Sequence, residues 1–568
     1  MSNVRLIGIL ATAAALSACA AGTQQMQSPA DSMPPGPLPS KLDPRPTTAA
    51  ITERDLMTRL YIFADDSMQG RATGTEGYRK GTDYIAGELR RLGLKPAGEN
   101  GTYFQQMPSR AIGEATRVEA GGQPLALWTD YVPLLGAGSP RAIEGTKAVY
   151  GGLVTSWQAG EPPLPADQVA GRVVVLGVAP DGTVSPAVLG RLARGPLADA
   201  AAVVVAGLER LNPNILGFLR RPSFGAVPQV DVPYGMLVTT SAAAHILGAD
   251  PANLQPGAQG NTMNGSIVVE VPEGAARNVV AVWPGSDPAL AGQYVAIGAH
   301  ADHVGYNTRP VDHDSLKAFN AIAFRMQGAN NDPRQLTIDE RQSIQVNVDS
   351  LRALRPARLD SISNGADDDG SGSMALLEIA ESMALGDQKP KRSVLFVWHA
   401  AEELGLLGAK HFVENPTVPR DSIVAQVNID MIGRGGADDL SMGGPGYVGV
   451  VGSRRLSTTL GDLVESVNTT GSHGLSFDYG LDADGHPQNI YCRSDHYQYA
   501  RFGIPIVFFF TGLHGDYHQV TDEPQYIYYP NYARITNYLH DLTLAIADRP
   551  DRLVVDRPKL DPNAPCRQ

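Results

Sequence analysis

Cysteine is nearly absent from this 568-residue chain, with only Cys19, Cys492 and Cys566. Three cysteines cannot build a disulfide framework, so the fold has to rest on a hydrophobic core. Basic residues are in deficit: 46 Lys and Arg face 59 Asp and Glu, a formal net charge of −13. No basic patch stands out, which argues against nucleic-acid binding. Beyond the first 19 residues, no apolar run reaches the roughly 20 residues that cross a bilayer. Several catalytic signatures are also missing. There is no His-Glu-x-x-His helix, no Gly-x-Ser-x-Gly elbow and no Gly-x-x-x-x-Gly-Lys-Ser/Thr loop. The Gly-x-Gly-x-x-Gly match at Gly444–Gly449 contains Pro445 and has no helix after it, so it reads as a turn. What is present is ordinary globular composition, 43% hydrophobic and 18% charged. That excludes disorder over most of the length. The length predicts two to four domains, or one large domain with insertions.

The N-terminus reads as an address. Arg5 precedes an apolar run from Leu6 to Ala18, too short to span and suited to a signal-peptide core. The sequence Leu16-Ser17-Ala18-Cys19 resembles a bacterial lipobox. That resemblance implies removal of residues 1–18 and lipidation of Cys19, with the outer membrane favoured because Ala20 rather than Asp comes next. Residues 19–49 are rich in Pro, Ser, Gln and Thr, the composition of a flexible tether. The expectation is an exported cell-envelope protein that touches the membrane only through Cys19. Cys492 and Cys566 can pair in an oxidising compartment or remain free thiols; nothing in the sequence brings them together.

The rest divides by texture. Thr52-Glu53-Arg54-Asp55 is a capping pattern before an amphipathic run to about Ala64, and Gly77 to Leu92 reads as a second helix. Residues 50–119 form the N-terminal part of the main domain. Residues 120–273 are Gly- and Pro-rich with short Val-rich strands, an inserted, mostly β module without a dense His, Asp or Glu cluster. Residues 274–550 alternate apolar strands (Asn278–Trp283, Tyr294–Gly298, Ser393–Trp398, Val424–Ile429, Ile504–Phe510) with helices such as Ser373–Ala384. Fully apolar strands between helices predict an α/β fold: a mixed, largely parallel sheet flanked by helices. Residues 306–363 interrupt it with a helical excursion placed as a lid or wall, and 551–568 are a peripheral tail.

Ligands of open α/β sheets bind at the carboxyl ends of strands. Those ends read alike here. His300, Asp302 and His303 come after the Tyr294 strand; Glu402 and Glu403 come after the Ser393 strand. Asp430 ends the Val424 strand, Asp516-Tyr517-His518 comes after the last strand, and Asp367-Asp368-Asp369 opens the helix near Ser373. Imidazoles mixed with carboxylates suit Zn²⁺ or a similar cation. Two ions sharing a carboxylate activate water for hydrolysis, and adjacent acids allow one to ligate while its neighbour serves as a general base.

These segments resemble the M28 family of co-catalytic zinc peptidases, the aminopeptidase group. The matching text is Gly298–Gly305, Asn364–Gly372, Ala401–Gly408, Asn428–Arg434, Ser494-Asp495-His496 and Asp516-Tyr517-His518. Residues 120–273 resemble the protease-associated insert of many members. The resemblance implies two Zn²⁺, with other divalent metals possible: His300 and Asp430 on one, Glu403 and His518 on the other, Asp368 between them. It also implies Glu402 as general base, Asp302 orienting His300 through its other ring nitrogen, and Tyr491 stabilising the oxyanion. His303, His399 and His496 are non-ligand histidines in this scheme. The implied function is an aminopeptidase acting on peptides. The alternatives are a carboxypeptidase or glutaminyl-cyclase-like enzyme on the same scaffold, or a non-catalytic binding protein.

Overall fold

The computed structural model describes residues 38–568 except 136–138, 142, 181, 183–185, 212, 226–230, 273–275, 329–333, 438 and 441–442. The signal segment, Cys19 and most of the tether lie outside the described residues. No helix among the described residues is long and apolar enough to cross a membrane.

The larger sheet has nine strands. From one edge it runs Lys95–Pro96, Arg277–Trp283, Ser393–His399, Tyr294–His300, Ile423–Ile429, Ile506–Phe510, Tyr447–Val451 and Ser476–Asp478, with Phe104–Gln106 paired beside Arg277–Trp283. Its four central strands are mutually parallel, and the strands adjoining them on either side, Arg277–Trp283 and Tyr447–Val451, are antiparallel to them. The mixed, largely parallel expectation is met. The strand Tyr447–Val451 is not among the expected ones; it begins at the end of the Gly444–Gly446 turn.

Side chains alternate across a strand, so a sheet covered on both sides needs apolar residues at every position. Val279, Ile297, Phe396, Trp398 and Val427 enter one core, with the helices Gly372–Leu385 and Tyr529–Ala547. Their neighbours Val280, Ala296, Leu395, Val397 and Phe508 enter the other, with Phe412 and Tyr499. This is why these strands read as unbroken apolar runs. The helices Glu53–Phe63 and Glu76–Arg91 fall close to their expected places, and Thr52 accepts from the Asp55 amide at 3.0 Å.

Residues 117–266 carry a second, eight-stranded sheet with its own apolar cores. It is less purely β than its composition suggests. The strands near 148–153, 173–177, 202–206 and 234–238 are parallel neighbours. Parallel neighbours need crossovers, and short helices such as Pro186–Arg194 and Thr240–Leu247 supply some of the connecting chain. The excursion rises from the paired strands Gly305–Asp312 and Leu359–Ser363 and is helical above them (His313–Gln327, Ile338–Ser343, Val348–Leu354).

The tail is not loose. Cys566 forms a disulfide with Cys492, with Cα atoms 5.8 Å apart. Gln568 accepts from the Tyr491 amide at 2.9 Å and donates to the Leu481 carbonyl at 2.6 Å. The 74-residue separation that the bond closes corresponds to about 4 kcal/mol of unfolded-chain entropy. Cys566→Ser is therefore expected to lower the melting temperature measured by circular dichroism without reductant. An unchanged melting temperature would show that the tie contributes nothing.

Candidate metal centre

All five residues expected as ligands meet at the carboxyl edge of the large sheet. His300 Nε2 lies 3.2 Å from Asp368 Oδ1 and 3.5 Å from Asp430 Oδ1. His518 Nε2 lies 3.1 Å from Asp368 Oδ2 and 3.0 Å from Glu403 Oε2. The two oxygens of Asp368 thus face two different histidines, and each histidine has a further carboxylate of its own.

Local bonding explains why Asp368 faces the cleft and its neighbours do not. Asp367 accepts from the Gly433 amide (2.6 Å) and Ser371 hydroxyl (2.8 Å). Asp369 accepts from the amides of His300 (3.0 Å), Gly372 (2.8 Å) and Met431 (3.1 Å). Both carboxylates are absorbed in holding neighbouring segments. Position 372 has to be glycine, because a Cβ there would stand 2.4 Å from Asp369 Oδ1 and 2.6 Å from the Ile429 carbonyl. Asp368 makes no such bond. Its own amide and that of Asp367 are held by Asp522, at 3.0–3.1 Å. Ala401, Met431 and His518 all have left-handed backbone, at φ 52°, 57° and 59°. Non-glycine residues in that region concentrate where a site is built.

Further contacts orient the donors. His300 Nδ1 is 3.1 Å from the main-chain carbonyl of Asp302, which fixes that nitrogen as the N–H and turns a bare Nε2 to the cleft. The Asp302 carboxylate is not the direct partner expected for this ring; it stands 3.8 Å off. It accepts instead from Thr73 Oγ1 (3.0 Å) and the Glu402 amide (3.2 Å), so it anchors the turn that carries the two glutamates. His303 Nδ1 meets Glu403 Oε1 at 2.9 Å, leaving Oε2 to His518. A chain of amides and a hydroxyl, Gln426 to Asn428 to Ser494 to Asp430 Oδ2, leaves Oδ1 facing His300. His399 sits behind the site, between Tyr499 and Asp495, and His496 stacks on Phe508.

Tyr491 is placed away from the cleft. It packs against His496 and Tyr497 under the Arg455 guanidinium, and the small pocket beside Asp368, Glu402 and Asp430 is lined by Tyr517 instead. The Tyr517 ring stacks on His518, and its hydroxyl accepts from Arg493 at 3.1 Å. Sequence reasoning also passed over Arg71. This fully buried guanidinium donates to the carbonyls of Phe63 (3.0 Å), Asn364 (2.6 Å), Gly365 (2.8 Å) and Ala301 (3.3 Å). It thereby joins the segments that carry His300 and Asp368. A lone arginine in a Gly-flanked loop carries no local signal of this.

The electrostatics call for positive charge. Burial by itself lowers the affinity of His300 for a proton, yet Asp430, Glu402 and Asp368 raise its pKa well above the ordinary imidazole value. His518 is likewise raised to about 10 against its burial by Asp368 and Glu403. Burial, with Asp430 and Glu403 nearby, pushes the Glu402 carboxyl well up. His300 Nε2, His518 Nε2, Asp368 Oδ2 and Asp430 Oδ1 are buried without hydrogen-bond partners. Nitrogen and oxygen donors left bare around one space fit zinc-class metal binding.

This is a metal-binding α/β architecture. Residues 278–543, which hold every candidate ligand, match Peptidase family M28. Leupeptin-inactivating enzyme 1 of Streptomyces exfoliatus is 31% identical over 172 residues, 30% of this chain and 34% of that one. An aminopeptidase of Pseudomonas aeruginosa is 32% identical over 171 residues, 28% of each chain. The chain thus spans about a third of the length of these curated relatives. A zinc aminopeptidase structure from Bacillus subtilis overlays with a TM-score of 0.45 at 14% identity, covering 91% of this chain and 100% of that one.

Arg71→Met removes four buried bonds from a charged donor. It is expected to cost about 3 kcal/mol in a denaturant titration. A change under about 0.5 kcal/mol would mean that the two segments are held independently of Arg71.

Proposed function

We propose that the chain is a zinc-dependent aminopeptidase that removes N-terminal residues from peptides. The observation that carries this reading is the divided environment of Asp368, one oxygen toward His300 and Asp430, the other toward His518 and Glu403. On this reading two ions occupy those two groups and, when bound, supply Lewis acidity and a water of lowered pKa.

The chain's own residues do the rest. Glu402 lies beside the cradle, its Oε2 4.0 Å from His300 Nε2, and is not used by any of the histidines as a hydrogen-bond partner. A carboxyl raised by burial is matched to proton transfer near neutral pH. Glu402 takes a proton from the attacking water and returns it to the departing amine nitrogen. Tyr517 and Arg493, rather than Tyr491, stand where a polar group can meet the substrate carbonyl. Carboxylates at the inner end favour a substrate with a free, positively charged amino terminus. The small pocket is walled by Met431, Ile490, Phe508, Phe510 and Leu513, which suits an apolar first side chain. A second cavity of about 840 Å³ opens at Glu403, Leu404 and Leu407 and extends past Phe224 to Tyr234 of the second sheet, giving room for the remaining peptide. We also place the protein in the oxidising cell envelope, where the Cys492–Cys566 bond can persist.

Glu402→Ala is expected to lower kcat by about 10²–10⁴-fold, the range of a lost general base, while bound zinc stays at the wild-type level by elemental analysis. Retained turnover would remove Glu402 from the mechanism. On aminoacyl amides, leucine and phenylalanine are expected to exceed aspartate in kcat/KM by at least ~10-fold, the scale of apolar-pocket discrimination. N-acetylation is expected to abolish cleavage. Equal turnover of acetylated peptides would overturn the aminopeptidase reading in favour of another activity on the same scaffold.

A further inference from the structure

Away from the candidate centre, another mixed set of donors converges. His313, Asp360 and Glu523 each place a ligand atom within 4.8 Å of the other two. They come from three separate stretches: His313 opens the helix His313–Gln327, Asp360 lies on the strand Leu359–Ser363, and Glu523 precedes the turn Pro524–Tyr526. His313 is fully buried and neither ring nitrogen has a hydrogen-bond partner. Its Nε2 stands 3.9 Å from Glu523 Oε1, beyond hydrogen-bond length but within the spacing of two donors around one ion. The Tyr526 ring stacks on the imidazole and holds its plane.

The neighbours leave the need unmet. Asp314, 3.5 Å from His313 Nδ1, is already gripped by Arg355 through bonds of 2.6 and 2.7 Å. Arg358 is close enough to act on the group by charge, yet its Nε and Nη2 are buried without partners, so it bonds neither carboxylate through them. Counting Arg358 against Asp360 and Glu523 still leaves a formal charge of −1 around a neutral imidazole.

We propose that His313, Asp360 and Glu523 form a separate binding site for a divalent cation of the zinc class. One imidazole and two carboxylates from distant segments supply three donors of a four-coordinate site, whose remaining position takes water. The cation stitches the base of the 305–363 excursion to the stretch after His518. That stretch includes Asp522, which holds the Asp367 and Asp368 amides. The site does not depend on the peptidase reading.

Cadmium NMR of the full chain, loaded with cadmium in place of zinc, counts the sites individually. Wild type is expected to show one resonance more than the candidate centre supplies. Glu523→Gln and His313→Gln should each lose that resonance and keep the others. Asp368→Asn should keep it and lose the resonances of the candidate centre. A wild-type spectrum in which every resonance disappears in Asp368→Asn overturns the proposal, and needs neither of the other variants to fold. Absence of a His313-dependent resonance from the wild-type spectrum is a failure of this site; absence of any Asp368-dependent resonance is a failure of the peptidase reading.

Discussion

The need to keep many carboxylates together out of water governs everything at this site. Asp302, Asp367, Asp368, Asp369, Glu402, Glu403 and Asp430 crowd one end of the sheet, and most are almost fully buried. Buried like charges repel strongly at low dielectric, so each needs a donor or a cation. Main-chain amides and hydroxyls hold Asp302, Asp369 and one oxygen of Asp367, whose other oxygen faces His514, and Arg71 adds a buried positive charge among them. Asp368, Glu403 and Asp430 retain oxygens that only histidine nitrogens face. Glu402 keeps its carboxyl outside those pairings. The division between oxygens held by the protein and oxygens left over defines both the cradle and the base beside it.

The sheet makes this crowding possible. Parallel central strands end together, so His300, the Glu402–Glu403 turn and Asp430 arrive at one edge without long loops. The register places His300 directly beside His399 on the neighbouring strand. The glutamate turn then folds back so tightly that a Cβ at Gly408 would lie 2.2 Å from the Ala400 carbonyl. Fold and site are one construction, with apolar alternation burying the strands and their ends left to carry charge.

Much of this was legible from residue order alone. Fully apolar strands can be read without coordinates because both faces of the sheet are covered, and the short stretch after each strand supplies the ligand residues. Direction could not be read in the same way. Tyr491 sits near the right residues in sequence, yet the turn Ile490–Cys492 buries it and leaves Tyr517 and Arg493 at the cleft. Asp302 orients His300 with its carbonyl rather than its carboxylate, a choice of atom that spacing cannot express. Arg71, Asp522 and the Cys492–Cys566 bond act across separations on the order of 10² residues. No local pattern reports them. The helices of the second sheet were hidden by its Gly- and Pro-rich text, which resembles loops more than short crossovers.

Anomalous scattering from crystals at the zinc edge tests the central claim most directly. A pair of peaks about 3.5–4 Å apart is expected, one beside His300 and Asp430, the other beside Glu403 and His518, with Asp368 reaching both. A single peak there, or zinc held by Asp367 or Asp369 in place of Asp368, would contradict it.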